Sequence, residues 1–337
     1  MEMRAFSQHG GRLSVARKAY PNAPEPWIDL STGINPHPFP APRASAAERS
    51  RLPQIDEITE LERRAAIAFG AEEECVIAAP GTEVILRLLP RLWPIHVAFV
   101  LAPTYSSHAD AWEGSGARVR MISHEHLSAA CDEPRSALVI VNPNNPDGRI
   151  LAPALLRSLH DALARCDGVL IVDEAFVEVT PGASVARLAG KTCSRMIVLR
   201  SFGKFYGLAG LRLGFVIAAA EIAFRLRQLW GDWPISADAI AAGAAAYADP
   251  TWAEHARARL TRASERLDRL LTRAGFDVAG GTALYRLARA RDAQARFRAL
   301  LNAGILTRPF GYDPSLLRLG LPKTASDWRR LAAALES

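Results

Sequence analysis

The stretch Ser201-Phe202-Gly203-Lys204-Phe205-Tyr206-Gly207-Leu208-Ala209-Gly210-Leu211-Arg212-Leu213-Gly214 decides how this chain is read. Apolar runs flank it, Met196-Ile197-Val198-Leu199-Arg200 before and Leu213-Gly214-Phe215-Val216-Ile217 after, each short and β-branched enough to be a buried strand. Lysine is rarely buried without a partner, so one held among glycines and aromatics between core strands points to a use for its amine. Desolvation favours the neutral amine, whose lone pair attacks a carbonyl. Ser201 upstream of Lys204 and Arg212 downstream add a hydroxyl and a fixed cation, suited to a phosphate beside that amine. The same residues also fit a strand-loop-strand with a snorkelling lysine and a surface arginine.

Upstream, other apolar runs end in polar residues of a particular kind. Gly168 to Val172 leads into Asp173, and an aspartate ending a buried strand is costly unless it is paired; a protonated ring nitrogen would pair it. Ala137 to Val141 runs into the turn Asn142-Pro143-Asn144-Asn145-Pro146-Asp147-Gly148-Arg149, whose prolines stop the ladder. His96 to Leu101 is followed by Pro103-Thr104-Tyr105, and an aromatic just past a strand end lies where open α/β sheets bind ligands, although packing alone would also explain it. Cys75 to Ala79 precedes Gly81-Thr82 at a helix start; the backbone N–H groups and hydroxyl there suit an anion, or Thr82 is an ordinary N-cap. The spacing of Ile58, Leu61, Ala65, Ile67 and Ala68 predicts an amphipathic helix ended by Gly70.

Beyond Ala220 the texture changes to long helices and then short strands, a smaller α+β domain. Within Ser315 to Leu321, Arg318 stands in an apolar strand, where its planar fork suits a carboxylate; the alternative is an edge arginine facing water. The N-terminal stretch, with His9-Gly10-Gly11 and Asp29 to Pro40, is too rich in Gly and Pro for a helix and reads as an extended arm. The expected organisation is an arm over 1–40, a large domain over 41–220 and a small one over 221–337.

Composition narrows the function classes. The 337 residues, 49% of them hydrophobic, suffice for a full core, and no run of roughly 18 apolar residues predicts a membrane span. The opening residues lack the apolar core of a signal peptide, so a cytoplasmic protein is expected. Cys75, Cys131, Cys166 and Cys193 form no Cys-x-x-Cys pair, which argues against zinc and disulfides. His124 and His126 have no third ligand nearby and read as loop residues, so no metal is expected. The net charge of +6 is concentrated in the run Arg257 to Arg273, the solvated face of a helix, and no nucleic-acid motif accompanies it.

Taken together, Gly-Thr, Tyr, Asn, Asp, Ser-x-x-Lys and Arg follow one another in the order that resembles fold-type I enzymes using pyridoxal 5′-phosphate, and the resemblance covers nearly the whole chain. It implies an α/β fold, a large domain with a mostly parallel mixed sheet between helices plus a smaller α+β C-terminal domain. It implies that Lys204 carries the cofactor aldehyde, that Gly81, Thr82, Ser201 and Arg212 bind its phosphate, and that Tyr105 stacks on its ring. Asn145 would hydrogen-bond the ring oxygen, Asp173 the ring nitrogen, and Arg318 would take the substrate α-carboxylate. Phe176 departs from the tyrosine common at its position, and Leu52-Pro53 from a Tyr-Pro whose tyrosine reaches the partner subunit's cofactor. The whole chain is similar to histidinol-phosphate aminotransferases, but His9-Gly10-Gly11, Asp29 to Pro36 and Asn142 to Arg149 resemble more the threonine-phosphate decarboxylase branch of cobalamin synthesis. That branch implies decarboxylation of L-threonine O-3-phosphate to (R)-1-amino-2-propanol O-2-phosphate by a homodimer, with His9, Asn35 and Arg149 as candidates for the substrate phosphate. An aminotransferase, or a non-catalytic binding protein of this fold, are the other expectations.

Overall fold

In the computed structural model, which describes residues 6–336, contacts divide the chain into two compact units. The first comprises 38–145 and 149–253; the second comprises residues through His37, 146–148 and 254 onward. These lines differ from the expected 1–40, 41–220 and 221–337 for a packing reason. The helices Ala220–Trp230 and Ala237–Tyr247 lie against β2 (Val76–Ala79) and the helix Ile55–Phe69, and so count with the larger unit.

The first unit is built on a seven-stranded sheet in the order β2-β8-β7-β6-β5-β3-β4, with β3 (Val97–Leu101), β4 (Arg118–Ile122), β5 (Ala137–Val141), β6 (Val169–Asp173), β7 (Met196–Ser201) and β8 (Gly214–Ile217). Strands β4, β3, β5, β6 and β7 run parallel, whereas β8 is antiparallel to both of its neighbours. Parallel neighbours need crossovers, and the helices Ser107–Glu113 and Pro153–Arg165 supply those from β3 to β4 and from β5 to β6. Burial on both faces explains why β3, β5 and β6 read as unbroken apolar runs. The edge strand β4 was not expected: its sequence Arg-Val-Arg-Met-Ile is largely exposed, and two arginines hide the pattern.

The helix Ile55–Phe69 corrects one expectation. Its buried stripe is Ile58, Leu61, Glu62, Ala65, Ala66 and Phe69, while Ile67 is 65% exposed and Ala68 also faces out. The one polar member of the stripe closes a sheet edge, since Glu62 accepts the Ala78 N–H at 2.8 Å on the edge strand β2 and pairs with Arg227 at 2.9 Å. Gly70 ends the helix in the left-handed conformation, as expected. No helix among the described residues is long and apolar enough to cross a membrane.

The second unit holds a four-stranded antiparallel sheet, β12-β13-β10-β9, made of β9 (Asp277–Thr282), β10 (Tyr285–Arg289), β12 (Arg308–Pro309) and β13 (Leu316–Gly320). β1 (Ile28–Asp29) pairs in parallel with β11 (Ile305–Leu306), so the expected extended arm is stitched into this unit.

An aromatic cluster of Phe69, Phe202, Tyr206, Phe215 and Tyr247 lies in the larger unit, and Tyr206 stacks on Trp252 at 5.6 Å. The Tyr247 hydroxyl is buried there with no hydrogen-bond partner among the described residues. An unpaired buried hydroxyl costs roughly 1–3 kcal/mol, so Tyr247→Phe is expected to raise the unfolding free energy by about 1 kcal/mol, read as a higher denaturant midpoint at unchanged m-value. A lower midpoint would show that the hydroxyl has a partner worth keeping.

Candidate active site

Strand register brings the polar residues of the larger unit to one edge of its sheet. Val141 lies opposite Asp173, Asp173 opposite Leu199, and Gly214 opposite both Ser201 and Ala79. The carboxyl ends of β2, β3, β5, β6 and β7 therefore share an edge with the start of β8. Gly81 and Thr82 follow β2, Tyr105 follows β3, Asn145 follows β5, Asp173 ends β6, and Ser201 and Lys204 close β7. Every cofactor residue expected from sequence falls on this edge, which is where open α/β sheets take their ligands.

The Gly81-Thr82 corner is a close-packed turn. Gly81 has φ +86°, and a Cβ there would lie 2.7 Å from Nη2 of Arg212. Glycine thus lets the guanidinium lie against the start of the helix Thr82–Leu88, whose first backbone N–H groups have no helical acceptor. Thr82 is not the N-cap: Gly81 holds that position and no side chain caps the helix. Arg212 itself adopts φ +55°, a left-handed conformation rare for a bulky residue, and donates from Nη1 to the Ala209 carbonyl at 3.0 Å.

Asp173 is 4% exposed. Its Oδ1 accepts the Ala175 N–H at 3.0 Å and its Oδ2 lies 2.8 Å from Nε2 of His108. Two carboxylate oxygens offer about four acceptor sites, so these contacts orient the group and leave capacity for one more donor. His108, itself 2% exposed, was missed by the sequence reading, because nothing local signals a partner 65 residues away. Tyr105 stands edge-on to His108 at 6.2 Å and donates to Glu83 Oε2 at 3.0 Å. Burial pushes its hydroxyl up to about 12, which keeps it protonated at neutral pH.

Lys204 lies not in a loop but in the single helical turn Phe202–Phe205, partly buried, with its ammonium 5.8 Å from the centre of the Phe176 ring. Phe176 is 4% exposed and presents an apolar face where a tyrosine would present a hydroxyl. Asn145 is buried within the Asn142–Arg149 turn, where the Asn144 N–H donates to the Arg149 carbonyl at 2.8 Å. Asn144 also accepts from the Thr104 hydroxyl at 2.6 Å, joining this turn to the segment that carries Tyr105.

The second unit gathers a different set. Arg318 on β13 and Arg308 on β12 are cross-strand partners and share a face, both buried. Arg318 donates to the Ser31 carbonyl at 2.6 Å and lies over the Tyr285 ring at 4.9 Å; Arg308 donates to the Gln8 carbonyl at 3.2 Å. Burial, and then the neighbouring Arg308 charge, pulls Arg318 down to about 9, which still leaves it charged at neutral pH. Arg308 was not singled out from sequence, since a two-residue strand ending in proline carries no periodicity. Asn35 is 2% exposed and its Oδ1 accepts the His37 N–H at 2.9 Å, which turns the chain. His9 is partly buried beside Gly10. Of the four substrate candidates, His9, Asn35 and Arg318 belong to this unit, whereas Arg149 belongs to the larger one.

With this geometry in view, likeness to known proteins can be read. The family model for aminotransferase class I and II matches residues 25–335. The threonine-phosphate decarboxylase of Pseudomonas aeruginosa is 41% identical over 329 residues, covering 97% of each chain. That of a Sinorhizobium species is 39% identical over 330 residues, again 97% of each. Among solved structures, the histidinol-phosphate aminotransferase of Sinorhizobium meliloti in complex with pyridoxal-5′-phosphate superposes with a TM-score of 0.84 at 19% identity, over 96% of this chain and 93% of the other. Matched over nearly its full length in both sequence and fold, the chain belongs to the class I and II aminotransferase family.

Proposed function

We propose that this protein is a pyridoxal 5′-phosphate enzyme that decarboxylates L-threonine O-3-phosphate to (R)-1-amino-2-propanol O-2-phosphate, a step of cobalamin synthesis. The observation that carries the reading is its 41% identity to a threonine-phosphate decarboxylase across 97% of both chains. The residues fit the cofactor. Gly81 leaves room that a Cβ would fill, Arg212 lies against it, and Asp173 is a buried carboxylate with acceptor capacity to spare.

When bound, pyridoxal 5′-phosphate supplies an aldehyde for the amine and a ring that accepts an electron pair. The chain's residues do the rest. Lys204 would hold the aldehyde and, once released, would supply the proton that Cα takes in place of the carboxylate; Phe176 keeps that amine beside an apolar face. Asp173, oriented by His108, would accept a ring N–H and so favour positive charge on the ring. Tyr105 offers a ring face, Asn145 an amide for the ring oxygen, and Ser201, Thr82, Gly81 and Arg212 donate to the cofactor phosphate. Arg318 is the residue for the α-carboxylate, and His9, Asn35 and Arg149, with Arg308 added, are the candidates for the substrate phosphate. The protein works in the cytoplasm as a homodimer, for which sedimentation of the purified protein should give twice the 36.6 kDa chain mass.

Purified protein with cofactor and L-threonine O-3-phosphate, without a keto acid, is expected to release CO₂ and aminopropanol phosphate in equal amounts. Lys204→Ala should abolish this by more than ~10²-fold while leaving the fold intact by circular dichroism. Absence of CO₂, with glutamate formed from histidinol phosphate and 2-oxoglutarate, would make the reaction an amino transfer instead. Arg318→Met is expected to lower kcat/KM by roughly ten- to a hundredfold, the value of a charge-assisted contact of about 1.5–3 kcal/mol, with the visible absorption of the bound cofactor unchanged.

A further inference from the structure

The segment His9-Gly10-Gly11 and the strand residue Arg318 are far apart in sequence, yet a single serine touches both. Ser31 is 2% exposed. Its Oγ accepts the Gly11 N–H at 2.7 Å, and its carbonyl accepts Nη2 of Arg318 at 2.6 Å. Asp29 fixes the orientation of this residue, since its Oδ1 accepts both the Ser31 N–H at 2.9 Å and the Ser31 hydroxyl at 2.6 Å. With its proton committed to Asp29, the hydroxyl can offer only lone pairs to Gly11. Gly10 lies so close that a Cβ there would be 2.3 Å from the Ser31 carbonyl oxygen. Gly11 takes φ +80°, a left-handed conformation that favours glycine.

The strand that precedes Ser31 has contacts of its own. Residues 28–30 are already held by pairing with β11, by the Leu30 N–H to the Leu306 carbonyl at 2.7 Å, and by the Gly320 N–H to the Leu30 carbonyl at 2.7 Å. What the Ser31 side chain adds is a fixed position for the chain just after His9. On the other side of His9, the Gln8 carbonyl is held by Arg308, the cross-strand partner of Arg318.

We infer that Ser31 is a positioning residue: oriented by Asp29, it latches the His9-Gly10-Gly11 segment beside Arg318, so that the segment and Arg308 present the donors for the substrate phosphate next to the arginine that takes the α-carboxylate. The inference rests on the proposed substrate class. Its role is to hold donors in place rather than to touch the substrate, so removing it should weaken anion binding and leave cofactor binding alone.

The test compares Ser31→Ala, and Gly10→Ala as an independent way of expelling the segment, with the unaltered holoenzyme. Amide hydrogen exchange of the peptide containing Gly11, the KM for L-threonine O-3-phosphate, the Kd for inorganic phosphate and the visible absorption of the bound cofactor are measured. In both variants the Gly11 peptide should exchange faster, and KM and the phosphate Kd should rise roughly three- to tenfold, as loss of one hydrogen bond implies, with kcat and the absorption spectrum little changed. Unchanged exchange overturns the latch; faster exchange with an unchanged phosphate Kd overturns its role in anion binding. If the unaltered enzyme does not decarboxylate L-threonine O-3-phosphate, the proposed substrate fails, and exchange together with the phosphate Kd still decides for or against the latch.

Discussion

The arrangement depends on one buried ion cluster behind the active edge of the sheet. Arg200, next to Ser201 on β7, lies between Glu174 at 2.9 Å and Glu178 at 3.1 Å, with the Phe69 ring 4.4 Å beneath its guanidinium. Glu174 follows Asp173 directly, and it also accepts the Val185 N–H at 2.6 Å and the Ser184 hydroxyl at 2.7 Å. Because neighbouring residues on a strand point to opposite faces, the cluster and the side chains of Asp173 and Ser201 occupy opposite sides of the same strand ends. Burial pushes both carboxyls up against the pull of Arg200, and taking charges out of water is expensive. Such a cluster contributes little net stability by its presence, but breaking it strands a charge. It therefore fixes the ends of β6 and β7, and with them Asp173 and Lys204, in one relative position.

Charge is handled differently in the two units. Around Asp173 the partners are matched, so that a single carboxylate is held by a ring nitrogen and a backbone N–H. Arg318 and Arg308 each donate to a backbone carbonyl, which orients the guanidinium. The first arrangement suits holding a cation in place; the second suits attracting an anion.

Much of this was legible in the sequence because buried parallel strands cannot hide. The runs ending at Leu101, Val141, Asp173 and Ser201 declared both the sheet and the edge where polar residues collect. Composition could not show what depends on distant pairing. The partner of Asp173 comes from His108, the second arginine from a two-residue strand, and the N-terminal arm proved to be a sheet partner of Ile305–Leu306. Local periodicity misled at the helix Ile55–Phe69, where Ile67 looked like core and Glu62 took its place. A glutamate on the buried face is explicable only once the unpaired edge of β2 is seen.

The three residues 146–148 have a history to tell. They count with the smaller unit, where the Gly281 N–H donates to the Asp147 carbonyl at 2.8 Å, while the residues on either side count with the larger. Together with the changes at 37/38 and 253/254, the chain passes from one unit to the other four times. Neither unit is an uninterrupted stretch that a gene could gain, lose or exchange by recombination at a single junction. A single crossover in the coding sequence therefore cannot replace one unit and leave the other whole.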